Sequence, residues 1–178
     1  MNRRCFNSAM AANVITVSGT AAAPEGTPEN WPALWKVSRE FTLAVADAMP
    51  AEEYGFVPAE GEMSFAALMI HIATAQAFRF AQMAGDQMPL TVPRTMAKAD
   101  AKAVARKLLE ESFEYCQSRA GRLTQAQLAA SYKVDWYERP SVSGDRLMLA
   151  MFAHTAHHRG QAEVYLRLKG IKPPAYRF

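Results

Sequence analysis

Three of the four histidines in this chain lie within five residues, in Phe152-Ala153-His154-Thr155-Ala156-His157-His158-Arg159-Gly160-Gln161, and the fourth is His71. A neutral imidazole offers one nitrogen lone pair, either to a metal ion or to a proton. On a helix, residues three or four apart share a face, so His154 pairs with His158 and also with His157. Either pair stands close enough to chelate one ion, and an imidazole from a neighbouring helix would complete a three-ligand set. Three protein ligands leave a coordination position open, which is the catalytic form of such a centre. Each histidine also has a plainer reading, as a satisfied core side chain or a rim residue, and H-x-x-x-H is common by chance. Burial sharpens the choice, because imidazoles in an apolar bundle core cost free energy unless their ring nitrogens find partners.

Helical periodicity places these residues. Positions 147, 151, 154, 158, 161, 165 and 168 alternate by four and three, so Leu147, Met151, His154, His158, Gln161, Tyr165 and Leu168 share a face that is predicted to point inward. His157 falls off that seam and reads as a rim residue. Positions 64, 68, 71, 75, 78 and 82 do the same for Ser64, Leu68, His71, Ala75, Phe78 and Gln82, which makes His71 core-facing as well.

The carriers of these seams are two of four predicted helices. The first covers 32–48 and ends before Pro50. The second runs from Phe65 to about Met83 behind an N-cap at Ser64 and before Gly85, and the third spans about 98–120 before Gly121. The fourth covers about 145–169, with Ser143 and Asp145 as cap and Gly170 as terminator. Between the third and fourth, 124–130 suits a short helical turn, and 132–141 suits a small hairpin or an irregular connection. Four amphipathic helices bury their stripes against one another, so the expected fold is all-α, an antiparallel-type four-helix bundle with long connecting loops.

Composition removes whole classes of function. The 178 residues are 50% hydrophobic and 21% charged, enough for one domain with a true core and too apolar for general disorder. No apolar run reaches the 18 or so residues that a membrane-spanning helix needs. The phosphate-cradling, zincin and thioredoxin signatures are absent. Net charge is +3, of which Arg3 and Arg4 supply two, so the body is nearly neutral. Lys98, Lys102, Arg106 and Lys107 are followed by Glu110, Glu111 and Glu114, a solvated helix face and not a phosphate-binding patch, so no nucleic acid is expected. Two cysteines, Cys5 and Cys116, are too few for a disulfide framework.

The first 23 residues have the order of a secretory signal: basic Met1 to Arg4, an uncharged stretch to Ala22, then small residues before Pro24. Arg3-Arg4-Cys5-Phe6 resembles the core of a twin-arginine export signal. Residues 1–25 are therefore either a signal peptide or an N-terminal extension of a cytoplasmic protein, and 26–178 form the domain.

Three features together resemble the DinB-like superfamily of metal-binding four-helix bundles. They are the single helix-two histidine in Leu68-Met69-Ile70-His71-Ile72, the late H-x-x-x-H-R-G-Q of His154 to Gln161, and the closing Tyr165-Leu166-Arg167-Leu168-Lys169-Gly170. The resemblance covers about residues 30–174. It implies a divalent metal held by His71, His154 and His158, with His157 as a neighbour and Gln161 supporting a ligand or packing the helix. Characterised relatives include thiol S-transferases that use bacillithiol and mycothiol-dependent isomerases, so the resemblance also implies a small-molecule substrate and a low-molecular-weight thiol.

On that basis the expected activity is a metal-dependent transferase of the thiol S-transferase type. A bound ion lowers the pKa of a thiol or of water, so a hydrolase on the same centre is the alternative. Imidazole ligands suit zinc, nickel, copper or iron, with zinc or nickel foremost. Glu111, Tyr115 and Tyr165 are the acid-base candidates, each with a plainer role as a solvated or core residue. A rival of another class is a non-catalytic metal or small-ligand binding bundle, dimeric through surfaces such as Trp31, Trp35, Phe78 and Met83. A di-iron carboxylate centre is disfavoured, because no glutamate stands three residues before a histidine. Export would weaken the thiol reading, since cytoplasmic thiol cofactors are scarce outside the membrane.

Overall fold

In the computed structural model the described residues are 30–134 and 140–177, so the expectations for residues 1–25, Cys5 included, lie outside them. Helix α1 (Trp31–Ala48) begins where Asn30 Oδ1 accepts from the Ala33 amide at 3.3 Å, with Pro32 in the first turn. Helix α2 (Phe65–Ala84) begins where the Ser64 hydroxyl accepts from the Ala67 amide at 3.2 Å, as its sequence predicts. It ends on Gly85 in the left-handed conformation, φ +76°, which glycine adopts without steric cost. Helix α3 (Ala101–Ala120) starts later than its amphipathic pattern implies, because Lys98–Asp100 wind as a tighter 3₁₀ turn ahead of it.

The segment after α3 has more structure than a loop. A capping box between Thr124 and Gln127 nucleates the one-turn helix α4 (Gln125–Ala129). Strands β1 (Ser131–Lys133) and β2 (Ser141–Ser143) then pair antiparallel, with Tyr132 opposite Val142. Helix α5 (Gly144–Leu168) follows at once. Its N-terminus differs from expectation: Ser143 makes no side-chain cap bond, and Asp145 Oδ1 is buried without a partner. The chain closes that end by packing instead. A Cβ at Gly144 would collide with the Gln127 carbonyl oxygen and meet Leu128 and Tyr132 at 3.1 Å, so only glycine lets α4 lie across the start of α5.

Helices α1 and α2 each pack against both α3 and α5, which puts α1 and α2 on opposite corners of an all-α four-helix bundle. Trp35 joins the four helices. Its fully buried ring meets Phe80 of α2 at 5.1 Å, Phe113 of α3 at 6.0 Å and Phe152 of α5 at 5.9 Å. Burying each such ring stabilises the fold by about 1.5–3 kcal/mol. A polar belt crosses the same core. Gln76 Nε2 donates to Ser112 Oγ at 2.7 Å, and Thr155 Oγ1 donates to Gln76 Oε1 at 3.2 Å, which ties α2, α3 and α5 in one register. Arg159 Nη1 donates to Ser38 Oγ and Thr42 Oγ1, each at 3.3 Å, and its guanidinium lies 4.4 Å over Phe41, which ties α5 to α1.

Two expectations need correction. The buried stripe of α5 is centred on Met148, Met151, Thr155, Arg159, Ala162 and Leu166, so the predicted seam is one edge of it and not its middle. Leu147, Met151 and Tyr165 are buried, His154, His158 and Gln161 are half-buried, and Leu168 is exposed. On α2, His71 is likewise half-buried and Phe78 is half exposed. A 3.5-residue spacing drifts by about 20° per heptad on a 3.6-residue helix, and a core stripe is more than about 100° wide, so a seam can follow its border. Second, Trp31, Trp35 and Met83 are buried in the core, which removes them from any dimer surface and leaves Phe78 exposed.

None of the described helices is long and apolar enough to cross a membrane. Of the basic residues of α3, Arg106 pairs with Asp47 at 2.8 Å and Lys107 with Glu111 at 3.8 Å, while Lys102 donates to the Asp47 and Met49 carbonyls, and Arg39 of α1 meets Glu110 at 2.9 Å. That is the solvated charged face expected from the sequence.

Candidate metal centre

The cleft between α2 and α5 collects three histidines. His71 projects from the second turn of α2, and His154 and His158 stand one turn apart on α5. His154 Nε2 lies 3.1 Å from His71 Nε2 and 3.1 Å from His158 Nε2. One nitrogen from each of the three falls within 4.8 Å of the others, a grouping that can hold a metal ion. His157 is exposed and outside that grouping, its ring centroid 4.9 Å from that of His158.

Proton accounting shows why this arrangement suits an ion. His158 Nδ1 donates to Gln161 Oε1 at 2.6 Å, which fixes the tautomer and leaves Nε2 as a bare lone pair aimed at His154. His154 Nε2 faces two imidazole nitrogens at once and carries at most one proton, while its Nδ1 is buried without a partner. Internal hydrogen bonds cannot satisfy this triangle. Donors about 2.0–2.1 Å from a shared ion stand roughly 2.8–3.4 Å apart for inter-ligand angles between a right angle and the tetrahedral one, and the observed 3.1 Å falls inside that interval. The residues present therefore fit a divalent transition metal.

Electrostatics keep the lone pairs available. Burial lowers the pKa of His71 and, against the opposing hydrogen bond to Gln161, that of His158. His154 is pushed down to about 4, first by burial and then by the charges its neighbours His158, His71 and His157 would carry. At neutral pH all three rings are uncharged, as ligation requires.

The other sequence candidates lie elsewhere. Tyr165 donates to the Met63 carbonyl at 3.0 Å, and Tyr115 to Asp86 Oδ2 at 2.7 Å. Glu111 and Tyr115 line a larger, open cavity of about 690 Å³ between α3 and residues 89–93, which none of the histidines lines. The cavity at the chemistry is smaller, about 340 Å³, and among the described residues is lined by His71, Ala75, Phe78, Arg79, Met151 and His154. Cys116 is buried in α3, and burial raises its thiol pKa well above the ordinary value, so it supplies no ready thiolate. Gln76, Thr155 and Arg159, which fix how α5 sits against its neighbours, escaped notice in the sequence. Their signal was a polar type at a position inside the buried stripe.

Four long helices, two of which border a histidine-lined cleft, define a class of helical bundles with a site that can hold a metal ion. The chain belongs to the DinB superfamily, whose model matches residues 34–162. It is similar to the uncharacterized protein YjoA of Bacillus subtilis strain 168, 26% identical over 133 residues that cover 74% of this chain and 84% of that one. The crystal structure of that DinB-like protein matches with a TM-score of 0.61 at 23% identity, covering 82% of this chain and 94% of the other. A DinB-like protein from Bacillus cereus ATCC 10987 matches with a TM-score of 0.60 at 22% identity, covering 80% and 93%. At such identities the two structures speak for the fold alone.

Proposed function

We propose that His71, His154 and His158 hold one divalent transition-metal ion, zinc or nickel foremost, and that the centre serves an enzyme of the thiol S-transferase type acting on a small molecule. The observation that carries this reading is the convergence of three Nε2 atoms that internal hydrogen bonds cannot satisfy. When bound, such an ion supplies a Lewis-acidic position that lowers the pKa of a thiol. The chain supplies the rest. Gln161 holds His158 in the right tautomer, Thr155 and Gln76 fix the spacing of α5 from α2, and Met151, Ala75 and Phe78 limit water on one side of the cleft. In the overall reaction the thiol proton goes to solvent, sulfur forms the new bond to the electrophilic carbon, and the leaving group departs with its bonding pair.

A hydrolase on the same centre would ordinarily draw on a carboxylate base. No aspartate or glutamate is among the described residues lining the cavity, which favours the thiol reading. The test loads the protein with zinc or nickel and offers it low-molecular-weight thiols with an activated aryl chloride. Thiol consumption and chloride release should match one to one, and both should fall to the buffer rate in the metal-free protein and in His158→Ala. Ester turnover independent of any thiol would replace this reading with a hydrolase. Metal binding with neither reaction would make the protein a non-catalytic metal-binding bundle.

A further inference from the structure

Beside the histidines, the 340 Å³ cavity has a definite character. Its volume is near the lower end of small-molecule sites, which span about 300–1,000 Å³. Apart from His71 and His154, its described lining consists of Ala75, Phe78, Met151 and Arg79. Arg79 does not make it polar, because its guanidinium is engaged with Gln82 Oε1 at 3.2 Å and the Lys133 carbonyl at 3.3 Å and lies 5.0 Å over the Phe78 ring. That cation supports Phe78 from one side, and the residue lines the cavity while remaining half exposed. Met151 forms a buried, polarizable surface that adapts to aromatic partners, and the methyl of Ala75 leaves the space between them open.

We propose that this cavity is the specificity pocket of the centre and takes a small molecule with an aromatic body of about one ring, seated against Phe78, Met151 and Ala75, with its donor or reactive group turned toward His71 and His154. The aromatic part of the inference stands on the cavity itself, and only the direction of the reactive end rests on the metal-centre reading. A peptide-like or sugar-bearing thiol does not suit this lining. If a polar thiol takes part, the aromatic compound is its electrophilic partner.

The test has two arms. In the zinc-loaded protein, calorimetric titration compares benzhydroxamate with acetohydroxamate, which share a chelating head and differ in the body. The aryl compound should bind about 10- to 100-fold more tightly, and Phe78→Ala, a half-exposed position that leaves the core intact, should remove most of that advantage. In the metal-free protein, toluene is titrated while the Met151 methyl resonance is followed by NMR. A saturable shift is expected, and Ala75→Leu, which fills the cavity, should abolish it. Equal affinity of the two hydroxamates in a protein that does hold zinc overturns the pocket and leaves the metal centre standing. If the protein takes up no zinc, a saturable toluene shift upholds the pocket while the metal reading fails, and no shift overturns the pocket as well.

Discussion

Two neighbouring faces of α5 handle polar groups in opposite ways. On the core side, Thr155 and Arg159 are engaged by the chain itself, through Gln76, Ser38, Thr42 and the ring of Phe41. One residue earlier in each case, His154 and His158 turn to the cleft, where nitrogens face nitrogens and His154 Nδ1 has no partner. A fold that satisfies one set so fully and leaves the adjacent set dependent on each other has divided the labour. The core face fixes where α5 stands, and the cleft face is built to be completed by something that accepts three lone pairs.

Substitutions on the two faces should separate these roles. The largest effect belongs to His154→Ala, which removes the nitrogen that faces both other rings. Zinc affinity, followed by competition with a chromophoric chelator, should fall at least about 100-fold, whereas the urea midpoint of the metal-free protein should hold or rise because an unsatisfied buried nitrogen is gone. A large loss of metal-free stability would mean that the histidines are core residues after all. Next comes Gln161→Leu, which takes away the acceptor for His158 Nδ1. Metal affinity should drop about 10- to 100-fold with little change in Tm, and an unchanged affinity would show that the 2.6 Å bond does not orient the ligand.

Thr155→Val probes the opposite face. Leaving Gln76 Oε1 short of a donor in the core should cost about 1–2 kcal/mol of stability, read from urea unfolding, with a smaller loss of metal affinity than Gln161→Leu gives. The remaining prediction concerns pH. Because the folded pKa of His154 is depressed to about 4 from an unfolded value near 6.5, the unfolded chain binds the extra proton first as pH falls. Stability contributed by the uncharged ring is complete above about pH 6.5 and is lost between there and pH 4. The metal-free parent should therefore lose Tm across that window more steeply than His154→Ala, and parallel curves would contradict the half-buried, neutral state assigned to this ring.

Much of this arrangement was legible in the sequence, and the chief failures concern the environment of side chains. The ends of α2 were marked by local chemistry, with Ser64 and Gly85 bounding it, and 124–130 was legible as a short helical turn, whereas the cap expected at Ser143 and Asp145 does not form. The histidine trio followed from spacing together with family resemblance, because an i,i+4 pair on one helix needs only a third ring opposite. Side-chain environment was harder. The α2 seam carries His71, Ala75 and Phe78, and the α5 seam carries Met151 and His154. Periodicity assigns all five to the core, and Met151 is indeed buried, but the other four are half-buried or exposed where the two helix faces border a cleft. Whether a stripe's edge meets another helix or open space depends on how four helices splay, and no single helix encodes that. Trp31 and Trp35 erred in the other direction, since their aromatic bulk suggested a partner surface where the structure uses it to join the four helices.

The central claim is that the cleft holds a metal ion through His71, His154 and His158. Elemental analysis of the folded protein, after incubation with zinc or nickel and removal of excess, tests it most directly beside the double variant His154→Ala, His158→Ala. This account predicts about one ion per chain in the parent and almost none in the variant. A parent that stays empty while its circular dichroism shows an intact helical fold would contradict it.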